Sequence, residues 1–311
     1  MILQEEPTQL HKLYILCISV ILGIFGYYWV EERFRRGKSK PLNVGLTTAA
    51  LTLALTLTVW KTQPVHNSLF TTEQKALEGY LFYETPHFRA DTCFLTSDSN
   101  GIENFDKDVC IQSSDKKENI VLIGDSHAAH WFSSLHEAVS PNQSLSQITA
   151  SGCKPTREST GENRCVQLIE WAYDEALFNT KFSKVIISAR WLEKDIPNLI
   201  RSVELLNSRG LEVIVMGPII EYFQPLPRIL AISDDSLDIS KSSNFDKVEK
   251  IDAKIHREVT KVGAKYFSTL KAMCSSPTEC LSQVDGVPAQ FDYGHLTEAG
   301  AQKVLEKFKY L

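Results

Sequence analysis

The chain has 311 residues, with 33 basic and 38 acidic side chains and a net charge of −5 at pH 7. That length excludes a small disulfide-stapled miniprotein, and the acidic balance argues against binding nucleic acid by broad phosphate neutralisation. Hydrophobic residues make up 43% and charged residues 23%, as in an ordinary globular protein, yet residues 1–62 hold seven basic and four acidic side chains (net +3) while residues 63–311 hold 26 and 34 (net −8).

The basic end contains two uncharged runs, residues 13–30 and 42–60, of 18 and 19 residues. Crossing a bilayer takes about 20 apolar residues, so both read as transmembrane helices. The second carries five threonines, whose hydroxyls can bond backbone carbonyls inside a helix. The first ends in Tyr27-Tyr28-Trp29, an interfacial aromatic belt rather than a signal-peptide cleavage site. Between them, residues 31–40 carry Arg33, Arg35, Arg36, Lys38 and Lys40. The positive-inside rule puts this loop in the cytoplasm and everything after residue 60 on the other side.

Seven cysteines are present. Cys17 lies in the first run. Cys93, Cys110, Cys153, Cys165, Cys274 and Cys280 follow the second as three close pairs. An even number in an exported segment suggests three disulfides, with proximity alone favouring neighbour pairing. Free buried thiols are the other reading. No CxxC or His-x-x-x-His spacing points to zinc, so neither a metal nor a bound cofactor is expected.

Residues 63–118 read as a linker and lead-in. From residue 119, short apolar runs at 120–123, 145–150, 184–189, 211–216 and 265–267 alternate with helical spacing at 128–139, 165–178, 195–208, 245–262 and 298–310. Residues 224–244 form an irregular insertion. Short continuous apolar strands between helices predict a parallel sheet covered on both faces. Ligands bind such sheets beyond the carboxyl ends of the strands.

Two motifs carry chemistry. In Ile120-Val121-Leu122-Ile123-Gly124-Asp125-Ser126-His127, a serine directly follows a strand and opens a helix, whose free N–H groups favour an anion. The plainer reading is that Asp125-Ser126 merely caps the helix. In Phe291-Asp292-Tyr293-Gly294-His295-Leu296-Thr297, a carboxylate and an imidazole share one turn. His295 can deprotonate Ser126, and Asp292 can fix the imidazole tautomer. The plainer reading there is loop polarity beside a Thr297 helix cap. Asp125 is assigned to the strand–helix turn. His127 reads as shaping the site or as helix-surface polarity, His130 as helix surface, and His66, His87, His136 and His256 as solvated.

Taken together, Gly124-Asp125-Ser126-His127, Ser151-Gly152-Cys153-Lys154-Pro155, Ser188-Ala189-Arg190-Trp191 and Asp292…His295-Leu296-Thr297…Gly300-Ala301 resemble the SGNH hydrolase superfamily. The likeness is greater to the SGNH domain attached to membrane acyltransferases of the acyltransferase-3 family. The cysteine placement is similar, and residues 27–35 look like the end of that family's membrane domain. The resemblance spans nearly the whole chain and is strongest from Asn119 onward.

The resemblance implies an α/β fold: an SGNH (flavodoxin-like) three-layer domain with a parallel sheet over residues 119–311, preceded by the two transmembrane helices within residues 1–62. It implies Ser126 as nucleophile, His295 as base and Asp292 as its orienting acid. The N–H groups of Ser126 and Gly152 would form the oxyanion hole. The family's third block adds an asparagine to that hole, whereas this chain has Ala189-Arg190-Trp191. Losing one such donor costs on the order of 10²–10³ in rate, so Arg190 is a candidate replacement, pairing with an acid being its alternative. The implied activity is serine-dependent O-acetylation of a cell-surface polysaccharide. Carbohydrate esterase or deacetylase activity, and a non-catalytic membrane-tethered domain binding glycan or a partner, are the alternatives. The acyl group would derive from acyl-CoA through a membrane acyltransferase module. Expected partners are a surface glycan, membrane lipid and a separately encoded membrane domain. The expected location is the bacterial inner membrane, with the SGNH domain periplasmic or extracellular. Relatives carry more spans than the two read here, so the chain is expected to be the back end of a longer protein or to work with a membrane partner.

Overall fold

The computed structural model describes residues 9–28, 53–54, 56–57, 71–115, 117–232 and 239–311. They fall into two compact units, Met1–Lys75 and Ala76–Leu311. In the first, helix α1 (Gln9–Gly26) opens with Gln9, His11 and Lys12. Among the described residues no helix is long and apolar enough to cross a membrane. The expected spans 13–30 and 42–60 are thus not found there as membrane-crossing helices, and most of the second lies outside the described residues.

The second unit is built on a six-stranded sheet in the order β1-β3-β2-β4-β5-β6. The strands are β1 (Phe94–Leu95), β2 (Glu118–Gly124), β3 (Gln143–Ala150), β4 (Phe182–Ser188), β5 (Glu212–Met216) and β6 (Lys265–Phe267). All neighbours are parallel. Because side chains alternate along a strand, the sheet feeds two cores. Val121, Ile123, Val185, Ile187, Val213 and Val215 enter one. Ile120, Leu122, Ile186, Ile214 and Met216 enter the other. Both sets are buried, which is why these strands read as continuous apolar runs.

Besides the short helical turns Lys107–Cys110 and Leu177–Asn179, the described helices after Gly79 are α2 (Ser126–Ala129), α3 (Phe132–Ala138), α4 (Asn163–Trp171), α5 (Ile196–Ser208), α6 (Leu226–Ile232), α7 (Phe245–Lys261), α8 (Thr269–Met273) and α9 (Glu298–Leu305). Side chains of α4, α5 and α7 pack into the first core, and those of α3, α6 and α9 into the second. The predicted helix over 128–139 is broken between α2 and α3: Trp131 N bonds to Ala128 O, and the turn buries His130 and Trp131. The insertion at 224–244 supplies the buried α6. The lead-in supplies β1, an edge strand too short to show periodicity in sequence. Three disulfides, Cys93–Cys110, Cys153–Cys165 and Cys274–Cys280, join neighbouring cysteines.

The chain leaves β2 to form β3 on one side and then crosses to β4 on the other. Ligand crevices in open α/β sheets form at such a reversal, beyond the carboxyl ends. Ser126 sits there.

Candidate active site

Asp125 follows β2 and caps α2, accepting from His127 N at 2.8 Å. Gly124 makes the turn possible, because a Cβ there would lie 1.8 Å from Ser188 O on β4. As the first residue of a helix, Ser126 has a backbone N–H with no intrahelical acceptor. Gly152, beyond β3, has φ +69, a left-handed conformation that favours glycine.

Ser126 Oγ and His295 Nε2 are 2.8 Å apart, and His295 Nδ1 and Asp292 Oδ2 are 2.7 Å apart. Asp292 Oδ1 accepts from the backbone of Gly294 (2.8 Å) and His295 (2.7 Å). Burial raises the Asp292 carboxyl, but the His295 hydrogen bond and charge and the two backbone N–H groups outweigh it, so its pKa lies below the ordinary value. Ser126, Asp292 and His295, predicted from two motifs and with Ser126 and His295 169 positions apart, are joined in one hydrogen-bonded line.

Beneath the nucleophile lies a charged network. Lys154 Nζ contacts Asp125 Oδ2 at 3.0 Å and Asp195 Oδ2 at 3.9 Å, and donates to Arg190 O. Asp125 also accepts from Arg190 N at 3.2 and 3.0 Å. The ends of β2, β3 and β4 are thereby tied together. Asp125 is thus a turn-builder, as predicted. Lys154 lies within Ser151–Pro155, and sequence alone gives it no role.

Arg190 Nε and Nη2 donate to Glu221 Oε1 and Oε2 at 2.6 and 2.9 Å. The guanidinium lies 5.0 Å from the centroid of the Tyr293 ring. The Glu221 hydrogen bond raises the Arg190 pKa further. Of the two readings of Arg190, pairing with an acid is the one observed. Glu221 carried no sequence signal.

His127 and His130 are not helix-surface residues. They are 3% and 0% exposed, and their rings lie 4.8 and 6.2 Å from that of His295. His127 Nε2 and both ring nitrogens of His130 have no hydrogen-bond partner among the described residues. Burial first, and then the proximity of the His295 ring, push both pKa values well below 6.5; His130, Lys154 and Arg190 add to this at His127, and His87 at His130. Both are neutral at pH 7. Phe291 stacks against His295 at 5.7 Å and Tyr83 against Phe291 at 5.2 Å, so the lead-in contributes to this wall. Among the described residues, no group of three or more His, Cys, Asp or Glu side chains is arranged to hold a metal ion.

No curated protein matches the sequence. Among solved structures, the periplasmic domain of a lipopolysaccharide acetyltransferase from Salmonella ser. Paratyphi A is similar, at 22% identity and a TM-score of 0.59, over 74% of this chain and 94% of that one. A GDSL-like lipase from Bacteroides thetaiotaomicron follows at 14% identity and a TM-score of 0.40, over 65% of this chain and 91% of its own. An acetylxylan esterase from Geobacillus stearothermophilus shows 13% identity and a TM-score of 0.38, over 65% and 97%. Residues 92–309 match the family described as the SGNH domain fused to AT3 domains, most of the chain, with Ser126, Gly152, Arg190, Asp292 and His295 among them. The chain belongs to that family of SGNH domains.

Proposed function

We propose that this protein transfers an acyl group, most simply acetyl, through an ester on Ser126 to a hydroxyl of a cell-surface polysaccharide. The observation that carries this reading is the line Ser126 Oγ–His295 Nε2 and His295 Nδ1–Asp292 Oδ2, at 2.8 and 2.7 Å. Ser126 Oγ attacks the acyl carbonyl while His295 takes its proton. Asp292, held as a carboxylate, accepts from Nδ1 and stabilises the imidazolium. The developing oxyanion faces the N–H groups of Ser126 and Gly152. His295 then protonates the leaving group. In the second half, an acceptor hydroxyl gives its proton to His295 and attacks the ester, and Ser126 Oγ is restored.

The three disulfides favour an oxidising, extracytoplasmic location for Ala76–Leu311. The uncharged runs in residues 1–62, together with the exposed apolar side chains of α1 such as Leu16 and Ile21, support attachment to the inner membrane. A membrane acyltransferase module drawing on acyl-CoA would then supply the acyl group.

The test uses the full chain with p-nitrophenyl acetate. The expected result is release of p-nitrophenol with an acetyl adduct on the Ser126 peptide, both lost in Ser126→Ala. Turnover unchanged in Ser126→Ala, or no adduct at all, would overturn the proposal. An acetylated glycan product separates transfer from hydrolysis, in which water is the acceptor.

A further inference from the structure

We infer that Arg190, Glu221 and Tyr293 form the acceptor subsite, which takes a neutral sugar ring by adjacent hydroxyls. This rests on the acyl-transfer reading above. Transfer in water succeeds only if the acceptor is held against the ester, because a positioned hydroxyl gains a large effective concentration over solvent. The subsite must therefore be joined to both halves of the site.

These three residues meet that condition. Arg190 is anchored through its backbone N–H to Asp125, the neighbour of Ser126. Tyr293 lies between Asp292 and His295 in sequence. Its carbonyl accepts from Tyr222 N at 2.8 Å, which fixes it to the loop that carries Glu221. The group stays within reach of solvent, with the Arg190 and Glu221 side chains 42% and 17% exposed.

The chemistry selects the ligand. A guanidinium has five N–H donors and a carboxylate about four lone-pair sites, and the Arg190–Glu221 pair uses two of each. Fixed donors and acceptors remain side by side, and neighbouring sugar hydroxyls, each donor and acceptor at once, match them. The pairing also cancels the charge of Arg190, so a carboxylate or phosphate gains little there. Tyr293 adds a phenol under the guanidinium, and burial holds it protonated by raising its pKa.

In the step itself, the acyl carbon–Ser126 Oγ bond breaks as the acyl carbon–sugar oxygen bond forms. The sugar hydroxyl proton passes through His295 to Ser126 Oγ.

The experiment acetylates the full chain with p-nitrophenyl acetate in the presence of methyl glucoside, galactoside, mannoside or rhamnoside, or of n-propanol at the same concentration. It reads acetyl ester formed against acetate released. That ratio is set after Ser126 is acylated, so it does not depend on how much acyl-enzyme forms. The wild type should favour at least one glycoside over n-propanol. Glu221→Gln and Tyr293→Phe should each lower the glycoside ratio about tenfold relative to the n-propanol ratio. Tyr293→Phe removes one oxygen and serves if Glu221→Gln does not fold. Wild-type ratios in both variants, or no glycoside above n-propanol, would overturn the subsite while leaving the serine ester standing. Absence of the ester from the wild type would instead bring down the acyl-transfer reading, and the subsite with it.

Discussion

Ser126 is carried by the end of a buried central strand, whereas His295 is carried by a loop that belongs to no strand of the main sheet. β2 lies between β3 and β4, and buried Asp125 with half-buried Lys154 fastens the three strand ends. The acid–base loop closes on itself through Phe291 N to His295 O (3.0 Å) and leans on a neighbouring segment through Leu226 N to Asp292 O (3.1 Å). The nucleophile side therefore couples catalysis to fold stability. The base side can be altered chemically while the fold persists.

The largest expected effects test the base side. His295→Ala should lower kcat on the order of 10⁶-fold, as should Ser126→Ala. Asp292→Asn should cost about 10⁴-fold by favouring the wrong tautomer, yet its oxygen can still accept from Gly294 and His295 N–H. Thermal unfolding of that variant should stay close to wild type, and a large drop would erase the contrast between the two sides.

Asp125→Asn tests the nucleophile side. It removes the nearer of two carboxylates from Lys154, which keeps Asp195 and Arg190 O, and should lower stability by about 1–3 kcal/mol in urea unfolding. Adding Lys154→Met should recover part of that loss. A double variant no better than the single one would show that the charge pair is not the cause. Replacing Cys153 and Cys165 by serine opens a loop with a sequence separation of 12, at a cost of about 3 kcal/mol. Because Cys153 adjoins Gly152, kcat should fall as well.

The smallest effect is with pH. His127 and His130 have folded pKa values depressed below 6.5, so the unfolded chain binds more protons. Their contribution is fully present above pH 6.5 and is lost as pH falls from there toward the folded values, by up to about 1.4 kcal/mol per pH unit for each histidine. Asp292, also depressed, loses its contribution only below its unfolded value near 4. Urea midpoints should thus begin to fall below pH 6.5, and His130→Leu should flatten that first decline. A midpoint flat down to pH 5 in the wild type would contradict the burial of neutral histidines.

Local patterns made much of this readable. Continuous apolar runs placed β2, β4 and β5, and the placement of a serine after a strand and of Asp-x-x-His before a helix marked the candidate site. Proximity paired the cysteines. What stayed hidden depended on tertiary contacts. His127 and His130 look like helix-surface polarity until the break at His130-Trp131 turns them inward. Glu221 acquires meaning only from Arg190, 31 positions away. The role of Lys154 requires three strand ends to meet. The membrane reading rests on hydropathy alone: among the described residues no helix is long and apolar enough to cross a membrane, and most of 42–60 lies outside them.

The two residues of β1 have a consequence out of proportion to their number. They pair with Thr149 and Ala150, and Gln112 N donates to Ser146 Oγ at 2.8 Å, so this stretch of the lead-in covers the outer side of β3. An unprotected strand edge invites pairing with another chain. A fragment begun at residue 119, where the alternating pattern starts, would keep Ser126, Asp292 and His295 but expose β3 to self-association. For recombinant work on this domain, the safe boundary lies at Ala76, where the compact unit begins, ahead of Tyr83 and the first disulfide.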